Sequence, residues 1–440
     1  MGLLSFKGGI HPPEKKEGTE NLAIENANPS KMAVIPLHQH IGAPCKPTVS
    51  PKEQVLVGQI IGEAQGFVSA PVHSSVSGTV KEIGSQPIGG GREAVCVVIE
   101  SDGKFDVDPS VQPPESYLEM DSKEIVQWIH QSGIVGMGGA TFPTHVKLSP
   151  PEDKPIDTVI INGAECEPYL TADHRLMLEH PERIVLGLQI IMKAVNATQG
   201  FIAIENNKMD AVNSVLQSVR DTEQIKVVVL QTKYPQGAEK QLIDACTRRQ
   251  VPSGGLPMDV GVVVNNIGTT EQIAKSFTTG MPLIDRITTV TGSCINSPKN
   301  LRVRIGTPAI DLVEQCGGYK KQPGKLILGG PMMGIAHDSH DVPVTKGTSG
   351  ILVFDETEAL IPEPGNCIRC GRCIDSCPIH LMPLMISEYA LKGRMEDADA
   401  YNALDCIECG SCSYVCPSKL PLVHSIRIAK NNIMSKQKKS

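Results

Sequence analysis

The chain has 440 residues and a formal net charge of −7, with 40% hydrophobic and 20% charged residues. At roughly 100–200 residues per domain, this length predicts two to four soluble domains. The negative balance argues against a nucleic-acid partner, because neutralising phosphates requires clustered positive charge. No apolar run reaches the ~18 residues of a membrane helix, and the N-terminal apolar stretch is too short for a secretory signal. We therefore expect a cytoplasmic chain that contacts a membrane only through partners.

Cysteine usage is the strongest feature of the sequence. Fourteen cysteines in a cytoplasmic chain indicate metal binding rather than disulfides. Eight of the fourteen lie between Cys367 and Cys416, and the others are scattered singly.

The N-terminal quarter predicts an arm and a β-rich domain. Residues 1–30 are polar and show no periodicity, which predicts an extended arm. Residues 31–115 contain short apolar runs, such as Val55–Ile61 and Ala94–Ile99, separated by glycine and proline. This pattern is typical of short strands joined by turns, and its last part, from residue 102, is a proline-containing linker.

From residue 116 the pattern changes to alternating strands and helices, which predicts an α/β domain over residues 116–270. The expected elements are helices at Lys123–Gln131 and Arg183–Val195 and strands at Asp157–Ile161 and Lys226–Leu230. The remaining expected units are a small α+β domain at 271–355 with a helix near Ala309–Gln315, a cysteine-rich domain at 356–430 and a loose basic tail at 431–440.

The cysteine-rich segment contains one motif twice, in which four cysteines at x2, x2 and x3 spacing are followed by proline. Its residues are Cys367, Cys370, Cys373 and Cys377 with Pro378, and Cys406, Cys409, Cys412 and Cys416 with Pro417. Two-cluster bacterial ferredoxins have this spacing, and the fourth cysteine of each arm binds the other cluster. We therefore assign one [4Fe–4S] cluster to Cys367, Cys370, Cys373 and Cys416, and the second to Cys406, Cys409, Cys412 and Cys377. The alternative, a zinc site, usually takes two separated ligand pairs.

Two loops of the α/β domain could bind a cofactor. Gly136–Thr144 is glycine-rich and precedes Lys147, so backbone amides and a cation could approach a phosphate or a flat ring. Asn162–Pro168 follows the expected strand at 157–161, and ligands bind at strand ends in α/β sheets. Spacing alone does not separate these interpretations from a tight turn and a polar loop that caps a helix.

The same loops resemble a known flavoprotein family. GGATFPTHVKL resembles the GRGGAGFPTGLKW loop of the NADH-oxidising subunit of respiratory complex I, and NGAECEP resembles its NADESEP. YPQGAE at 234–239 and NNIGT at 265–269 resemble that family's YICGEE and NNVET, in the same order. In that family these stretches bind FMN and admit NADH above its ring.

The resemblance is closer to the C subunit of Rnf complexes, the ion-translocating ferredoxin:NAD+ oxidoreductases, and it covers essentially the whole chain. FKGGIHP at 6–12, GAPCKP at 42–47, INGAECEPYLTADHR at 161–175 and the double cysteine motif all resemble that family. The implied fold class is multidomain α/β and α+β. Its parts are an N-terminal β barrel-sandwich domain, a Rossmann-like FMN/NADH domain, a β-grasp domain and a C-terminal ferredoxin-like helical domain.

Carried over residue by residue, the resemblance implies a set of FMN and NADH contacts, with Glu167 nearest the reacting rings. The set is Gly138, Gly139, Lys147, Asn162, Glu165, Glu167, Tyr234, Gly237, Glu239, Asn265, Asn266 and Thr269. Three neighbouring positions, Ala164, Cys166 and Ala238, depart from complex I, which has an acid, a serine and a glutamate there. Cys166 is expected to be a small packed residue.

Residues 66–83 resemble a lipoyl or biotinyl domain, but His73-Ser74-Ser75 stands where such a domain carries its modified lysine. A structural or docking role is therefore expected. The pairs His38 and His40, and His337 and His340, lack a third ligand nearby in sequence, so we expect surface or loop histidines.

These observations predict an oxidoreductase/translocase subunit containing two [4Fe–4S] clusters and FMN and reacting with NAD(H). FMN should stand between NAD(H) and the clusters, because a hydride carries two electrons and a cluster passes one. The expected partners are membrane subunits of the same complex and a ferredoxin-fed iron–sulfur subunit, on the cytoplasmic side. The alternatives are a soluble flavin and iron–sulfur cobalamin reductase, and a non-catalytic two-cluster carrier with a degenerate α/β scaffold.

Overall fold

The computed structural model describes residues 3–220 and 222–437. Within these residues the strands are β1 Ile24–Asn26, β2 Met32–Pro36, β3 Lys46–Pro47, β4 Gln54–Val55, β5 Ile60–Glu63, β6 Val72–His73, β7 Gly78–Gly89, β8 Arg92–Ser101, β9 Thr158–Gly163, β10 Gln199–Glu205, β11 Ile225–Leu230, β12 Val262–Asn266, β13 Asp285–Thr291, β14 Lys299–Arg304, β15 Pro323–Leu328, β16 Ile335–His337 and β17 Gly350–Asp355. The α-helices are α1 Ser122–Gln131, α2 Thr144–Lys147, α3 Ala172–Glu179, α4 Pro181–Val195, α5 Met209–Ser218, α6 Glu239–Thr247, α7 Ile267–Thr279, α8 Ala309–Gln315, α9 Glu356–Ala359, α10 Arg372–Asp375, α11 Pro383–Leu391, α12 Met395–Ala400, α13 Ser411–Tyr414 and α14 Leu422–Gln437.

The N-terminal β domain consists of two small sheets, ordered β2-β8-β7-β4 and β3-β5-β6. Its β7–β8 hairpin is much longer than the short strands that the sequence suggested, with 12 and 10 residues. The turn at Gly89–Gly91 has positive φ at all three glycines, which permits the reversal. Ser74 and Ser75 are fully buried, and Ser75 Oγ donates to the carbonyl of Ile305 at 2.6 Å. This segment is therefore docked against the rest of the chain.

The α/β domain is built on a four-stranded parallel sheet in the order β11-β10-β9-β12. Along β9, Val159 and Ile161 belong to the large core that includes α4, whereas Ile160 packs with Leu242 of α6. Helices thus cover both faces, which explains why the strand is a continuous apolar run. The expected helices and strands of this domain are present, with ends displaced by a few residues.

The α+β unit is a six-stranded mixed sheet in the order β1-β14-β13-β17-β15-β16. Its first strand comes from the N-terminal arm and pairs in parallel with β14. The arm is extended, as expected, but it is packed rather than solvated: Phe6, Ile10, Lys16 and Thr19 are all buried. Its few apolar side chains and one lysine are buried between domains. The polar composition of the arm did not predict this packing. Met1 and Gly2 lie outside the described residues.

The cysteine-rich domain is helical, with α11, α12 and α14 enclosing a small core. The expectation of a loose tail at 431–440 was wrong as far as Gln437. Helix α14 continues to that residue because Ile433 is buried against the domain, and residues 438–440 lie outside the described part. Among the described residues, no helix combines the length and apolar character needed to cross a membrane.

Candidate cofactor site

We call the carboxyl edge of the parallel sheet, where β9 and β12 end, the crevice. The chain leaves β9 toward β10 on one side and returns as β12 on the other, so the strand order reverses between β9 and β12. Open α/β sheets bind ligands at such a reversal point. Here the two strands end at Gly163, inside the 162–168 loop, and at Asn266, inside the 265–269 segment that the resemblance singled out.

The glycine-rich loop lies at the N-terminus of α7. The backbone N–H of Met137 donates to Thr269 Oγ1 at 2.8 Å, and Asn266 caps the helix by accepting from the Gly268 N–H at 2.8 Å. A Cβ on Gly138 would lie 3.2 Å from the side-chain amide of Asn266, whereas Gly139 has open space around it at φ +69°. The loop therefore presents unhindered backbone at a helix N-terminus, which favours an anionic group.

The loop after β9 is tied to the 234–239 segment. Asn162 Nδ2 donates to the carbonyl of Gly237 at 2.8 Å, and Asn162 Oδ1 accepts from the N–H of Ala164 at 3.1 Å. The N–H of Gly237 in turn points to Cys166 Sγ at 3.4 Å. Burial raises the pKa of the Cys166 thiol to about 12, so it is a packed neutral thiol, as expected.

Lys147 lies at the end of α2 and reaches across to the neighbouring segments. Its Nζ is 2.8 Å from Glu239 Oε1 and donates to the carbonyl of Val264 at 3.1 Å. Both side chains of the ion pair are partly exposed. The lysine is therefore held beside the crevice and remains accessible to a ligand.

A partly buried acidic pair, Glu165 and Asp173, stands beside the crevice. Glu165 accepts from the N–H groups of Asp173 and His174 at 2.7 and 3.1 Å, at the start of α3. Asp173 accepts from Asn266 Nδ2 at 2.6 Å. The pKa of Asp173 is raised mainly by burial and, to a lesser extent, by the negative charge of Glu165. Glu165 is thus occupied in shaping the loop, and Asp173, absent from the sequence-derived set, fixes Asn266.

Glu167 connects the loop to the mixed sheet. Its carboxylate accepts from the N–H groups of Met332 and Met333 at 3.0 and 2.9 Å, in the turn between β15 and β16. Burial raises the pKa of Glu167 to about 7, while those two amides oppose the rise. The carboxyl group is therefore near its titration midpoint at neutral pH.

Two buried lysines hold the same loop, and sequence reasoning missed both. Lys16 Nζ donates to the carbonyls of Glu165 at 2.9 Å and Glu167 at 3.1 Å, and also to that of Leu170. Lys208 Nζ donates to the carbonyl of Ala164 at 2.8 Å. No spacing rule joins Lys16 to a loop about 150 positions away, and a lysine in a charged arm normally signals solvent exposure.

The residues at the crevice fit a flavin nucleotide. Within the described part of the chain, the Nδ2 donor of Asn265 is buried and has no hydrogen-bond partner. Buried donors are normally hydrogen-bonded, so a bound ligand could supply the acceptor. Gly138, Gly139, Asn266 and Thr269 gather at the start of α7, and Asn162, Gly237, Lys147 and Glu239 border them through the contacts above. Tyr234 and Glu167 lie where the crevice meets the neighbouring domains, through the contacts with Cys409 and with the 332–333 turn.

A small cavity lies inside the cysteine-rich domain. Four cysteines line it: Cys377 of the first motif with Cys406, Cys409 and Cys412 of the second. The other lining side chains are largely apolar. The grouping is the crossed arrangement that the spacing predicts, and cluster binding by these four cysteines stays a prediction.

The remaining cysteines gather nearer the surface. Cys373 packs against the small apolar cluster that contains Cys416. Cys367 and Cys370 are exposed, whereas Cys416 is buried. The first set therefore lies at the domain surface and the second lies inside.

The inner cysteine set adjoins the α/β domain directly. Tyr234 Oη donates to the carbonyl of Cys409 at 2.7 Å, and Gln241 Nε2 donates to that of Pro378 at 3.1 Å. Ile10, Tyr234 and Cys409 form one small apolar cluster, which Cys166 contacts. The crevice, the inner cysteines and the surface cysteines are thus arranged in series.

The four histidines lie away from this arrangement. His40 is buried, contrary to expectation, because its Nε2 accepts from the N–H of Ala70 at 3.1 Å, while His38 is exposed. His337 Nδ1 accepts from the N–H of Gly90 at 3.0 Å, and His340 hydrogen-bonds Tyr319.

A Rossmann-like flavin crevice beside a doubled ferredoxin motif defines the class: the protein is an iron–sulfur flavoprotein of electron transfer. Family models agree along the chain. They match the RnfC barrel sandwich hybrid domain at 4–104, the Nuo51 FMN-binding domain at 129–275, an SLBB domain at 287–336 and a 4Fe-4S dicluster domain at 359–417.

Whole-chain relatives identify the family. The chain is 51% identical, over 99% of its length and 98% of the relative's, to the C subunit of the Na+-translocating ferredoxin:NAD+ oxidoreductase complex of Acetobacterium woodii. It is 48% identical, over 98% of its length and 94% of the relative's, to the C subunit of the proton-translocating ferredoxin:NAD+ oxidoreductase complex of Clostridium ljungdahlii. The chain belongs to the RnfC family, the C subunits of Rnf complexes. An NAD+-reducing [NiFe]-hydrogenase in the H2-reduced state superimposes with a TM-score of 0.49 at 17% identity, covering 74% of this chain and 63% of that one.

Proposed function

We propose that this chain is the NAD(H)-reactive peripheral subunit of a membrane-bound, ion-translocating ferredoxin:NAD+ oxidoreductase. In this role it passes electrons between NAD(H), FMN and two [4Fe–4S] clusters. The observation that carries the proposal is the contact between Tyr234, beside the crevice, and Cys409 of the inner cysteine set. The relatives that match the whole chain favour this function over a cobalamin reductase, and the FMN-domain match disfavours a bare electron carrier.

The crevice residues have distinct tasks in binding FMN. When bound, FMN accepts a hydride and releases its electrons singly. The amides of Gly138 and Gly139 and the first turn of α7 attract the phosphate, and Lys147 adds positive charge beside them. Asn265 Nδ2, which has no partner within the described residues, is the free donor for a polar atom of the flavin. Asn162 and Glu165 hold the loop after β9 in shape.

NAD(H) is assigned to the same crevice. Glu167 is the acidic residue placed nearest the reacting rings in this proposal. Hydride transfer to a flavin needs no general acid at the transferring carbon, so Glu167 acts by fixing the 164–168 loop against Met332 and Met333. Exclusion of water follows from the burial of this loop between two domains.

The two cysteine sets supply a route out of the crevice. The inner set, Cys377 with Cys406, Cys409 and Cys412, is next to Tyr234, and the outer set is next to solvent. Beside the exposed Cys367 and Cys370, Ile361 is 81% exposed and Ile368 is 67% exposed. Apolar surface around an exposed redox site suits transient docking, so we assign this face to the ferredoxin-fed iron–sulfur subunit. Membrane subunits of the same complex would hold the chain on the cytoplasmic side.

The test is whether the chain joins a membrane complex and reacts with NADH. The tagged protein, purified anaerobically from its native membranes, should bring other subunits with it and contain FMN that NADH bleaches. Recovery only from the soluble fraction together with a corrinoid protein would support the cobalamin reductase instead.

A further inference from the structure

The N-terminal segment Ser5–Ile10 runs through the seam between the α/β domain and the cysteine-rich domain. On one side, Ile10 and Tyr234 exchange two backbone hydrogen bonds, at 2.8 and 2.9 Å. On the other side, the N–H of Gly9 donates to the carbonyl of Ser376 at 3.0 Å. Ser376 directly precedes Cys377, so one short segment touches both a crevice residue and the neighbour of an inner-set cysteine.

The segment is anchored to the α/β domain independently of these contacts. Lys233 Nζ donates to the carbonyl of Phe6 at 3.0 Å and lies 4.3 Å from the centroid of the Phe6 ring. The N–H of Gln231 donates to the carbonyl of Leu4 at 2.9 Å. A segment fixed in this way can transmit the position of Tyr234 to whatever packs on its other side.

Two glycines allow this segment to fit between the two domains. Gly8 has φ +86°, and a Cβ there would lie 2.8 Å from the carbonyl oxygen of Cys377. Gly9 has φ +80°, and a Cβ there would lie 2.7 Å from the carbonyl oxygen of Tyr234. Real Cβ atoms do not approach backbone oxygens so closely, so a side chain at either position must push the two domains apart or displace the segment.

The contacts form a closed ring. From Gly9 the ring passes through Ile10 to Tyr234, then from the Tyr234 hydroxyl to Cys409, and back through the inner cysteine set to Cys377 and Ser376. Both cysteine motifs are therefore held from the same point on the α/β domain. The outer cysteine set touches the ring at one point only among the described residues, where Ser376 Oγ donates to the carbonyl of Cys373 at 3.3 Å.

We propose that Ser5–Ile10 is a clasp that positions the inner [4Fe–4S] cluster against the flavin crevice, with Gly8 and Gly9 as its positioning residues. This inference rests on the proposed cluster ligands. The clasp sets where the backbone at Cys377 and Cys409 lies, and hydrogen bonding and solvent access around the sulfurs tune a cluster's potential. Disturbing the clasp should therefore change the inner cluster more than the outer one.

The experiment compares Gly8→Ala with Gly393→Ala in the anaerobically purified full chain. Gly393 lies in the cysteine-rich domain and has a positive φ (+72°) like that of Gly8, but a Cβ there meets nothing within 4 Å. The two variants thus carry similar backbone strain, and only one carries the clash. Iron content is measured first, and EPR-monitored redox titrations then give the midpoint potential of each cluster, assigned with Cys367→Ser and Cys406→Ser.

We expect Gly8→Ala to shift the potential and line shape of the inner cluster, or to lose that cluster alone, while Gly393→Ala leaves both unchanged. Tyr234→Phe should shift the same cluster, because it removes the ring's other contact. Equal changes in both clusters, or no change in either, would overturn the clasp. A parent chain with far fewer than about eight irons would instead refute the ligand assignment itself, and the clasp with it.

Discussion

The hydroxyl of Tyr234 donates a hydrogen bond to the carbonyl oxygen of Cys409 over 2.7 Å. Burial raises the pKa of Tyr234, so the group stays protonated and remains a donor. Tyr234 follows β11 at the carboxyl edge of the parallel sheet, and Cys409 is the second cysteine of its motif. This contact brings two sites that are far apart in sequence into one continuous arrangement.

The crossed cysteine sets predict an unusual pattern of iron loss. Cys377→Ser and Cys406→Ser lie in different motifs but in the same set, so the double variant should lose about the same iron as either single variant, near half. Cys377→Ser with Cys367→Ser lies in one motif but two sets, and should lose nearly all. Iron and acid-labile sulfide assays measure both. Greater loss in the first pair than in the second would contradict the crossing.

The glycine-rich loop depends on one side-chain acceptor. Thr269→Val removes the Oγ1 atom to which the Met137 N–H donates at 2.8 Å, with little change in volume. A neutral hydrogen bond contributes about 1 kcal/mol, so FMN affinity should fall by roughly fivefold, measured by fluorescence titration of the deflavinated protein. Thr278→Val, on the exposed side of the same helix, is the control. Equal affinity in both variants would show that the loop does not contribute to FMN binding.

Glu167 should make the stability of the chain depend on pH near neutrality. Burial raises the pKa of Glu167 from 4.5 to about 7, so the folded chain keeps a proton that the unfolded chain releases. This contribution is complete below the unfolded value and is lost as the pH rises through the folded value. Glu167→Gln mimics the protonated form, and its stability relative to the parent should rise between about pH 5 and pH 8, by at most about 3 kcal/mol.

The measurement for Glu167 is the difference in apparent thermal midpoint between variant and parent, taken anaerobically across that pH range. Glu363→Gln, at an exposed position, serves as the control and should track the parent. A difference for Glu167→Gln that stays constant with pH would show that the carboxyl group does not titrate in this window.

Lys16 should be essential for the loop after β9 although it lies in a charged arm. Lys16→Met keeps the length of the side chain but leaves the carbonyls of Glu165, Glu167 and Leu170 without their shared donor. Each unsatisfied buried carbonyl costs about 1–3 kcal/mol, so we expect a loss of at least about 2 kcal/mol. Lys15→Met, at the exposed position next to Lys16, should leave the free energy of unfolding nearly unchanged. Denaturant unfolding of the two variants compares them, and similar midpoints would exclude this role.

The sequence predicted what repeats or alternates, and missed what depends on distant contacts. The doubled motif specified the cysteine sets, and the run at 157–161 identified β9 because a strand covered on both faces is apolar throughout. Residues 1–30 have no such pattern, so nothing revealed that Ile24–Asn26 pairs with β14 or that Lys16 is buried. Resemblance located the crevice loops, yet the bonds of Glu167 to Met332 and Met333 join loops that only the folded chain brings together.

The most direct measurement of the central claim is anaerobic cofactor analysis of the full chain followed by NADH addition. The account predicts about one FMN and about eight irons per chain, with both clusters becoming EPR-active after NADH is added only when FMN is present. A full iron content in a protein that cannot bind FMN would contradict this claim. So would clusters that NADH does not reduce in the FMN-loaded protein.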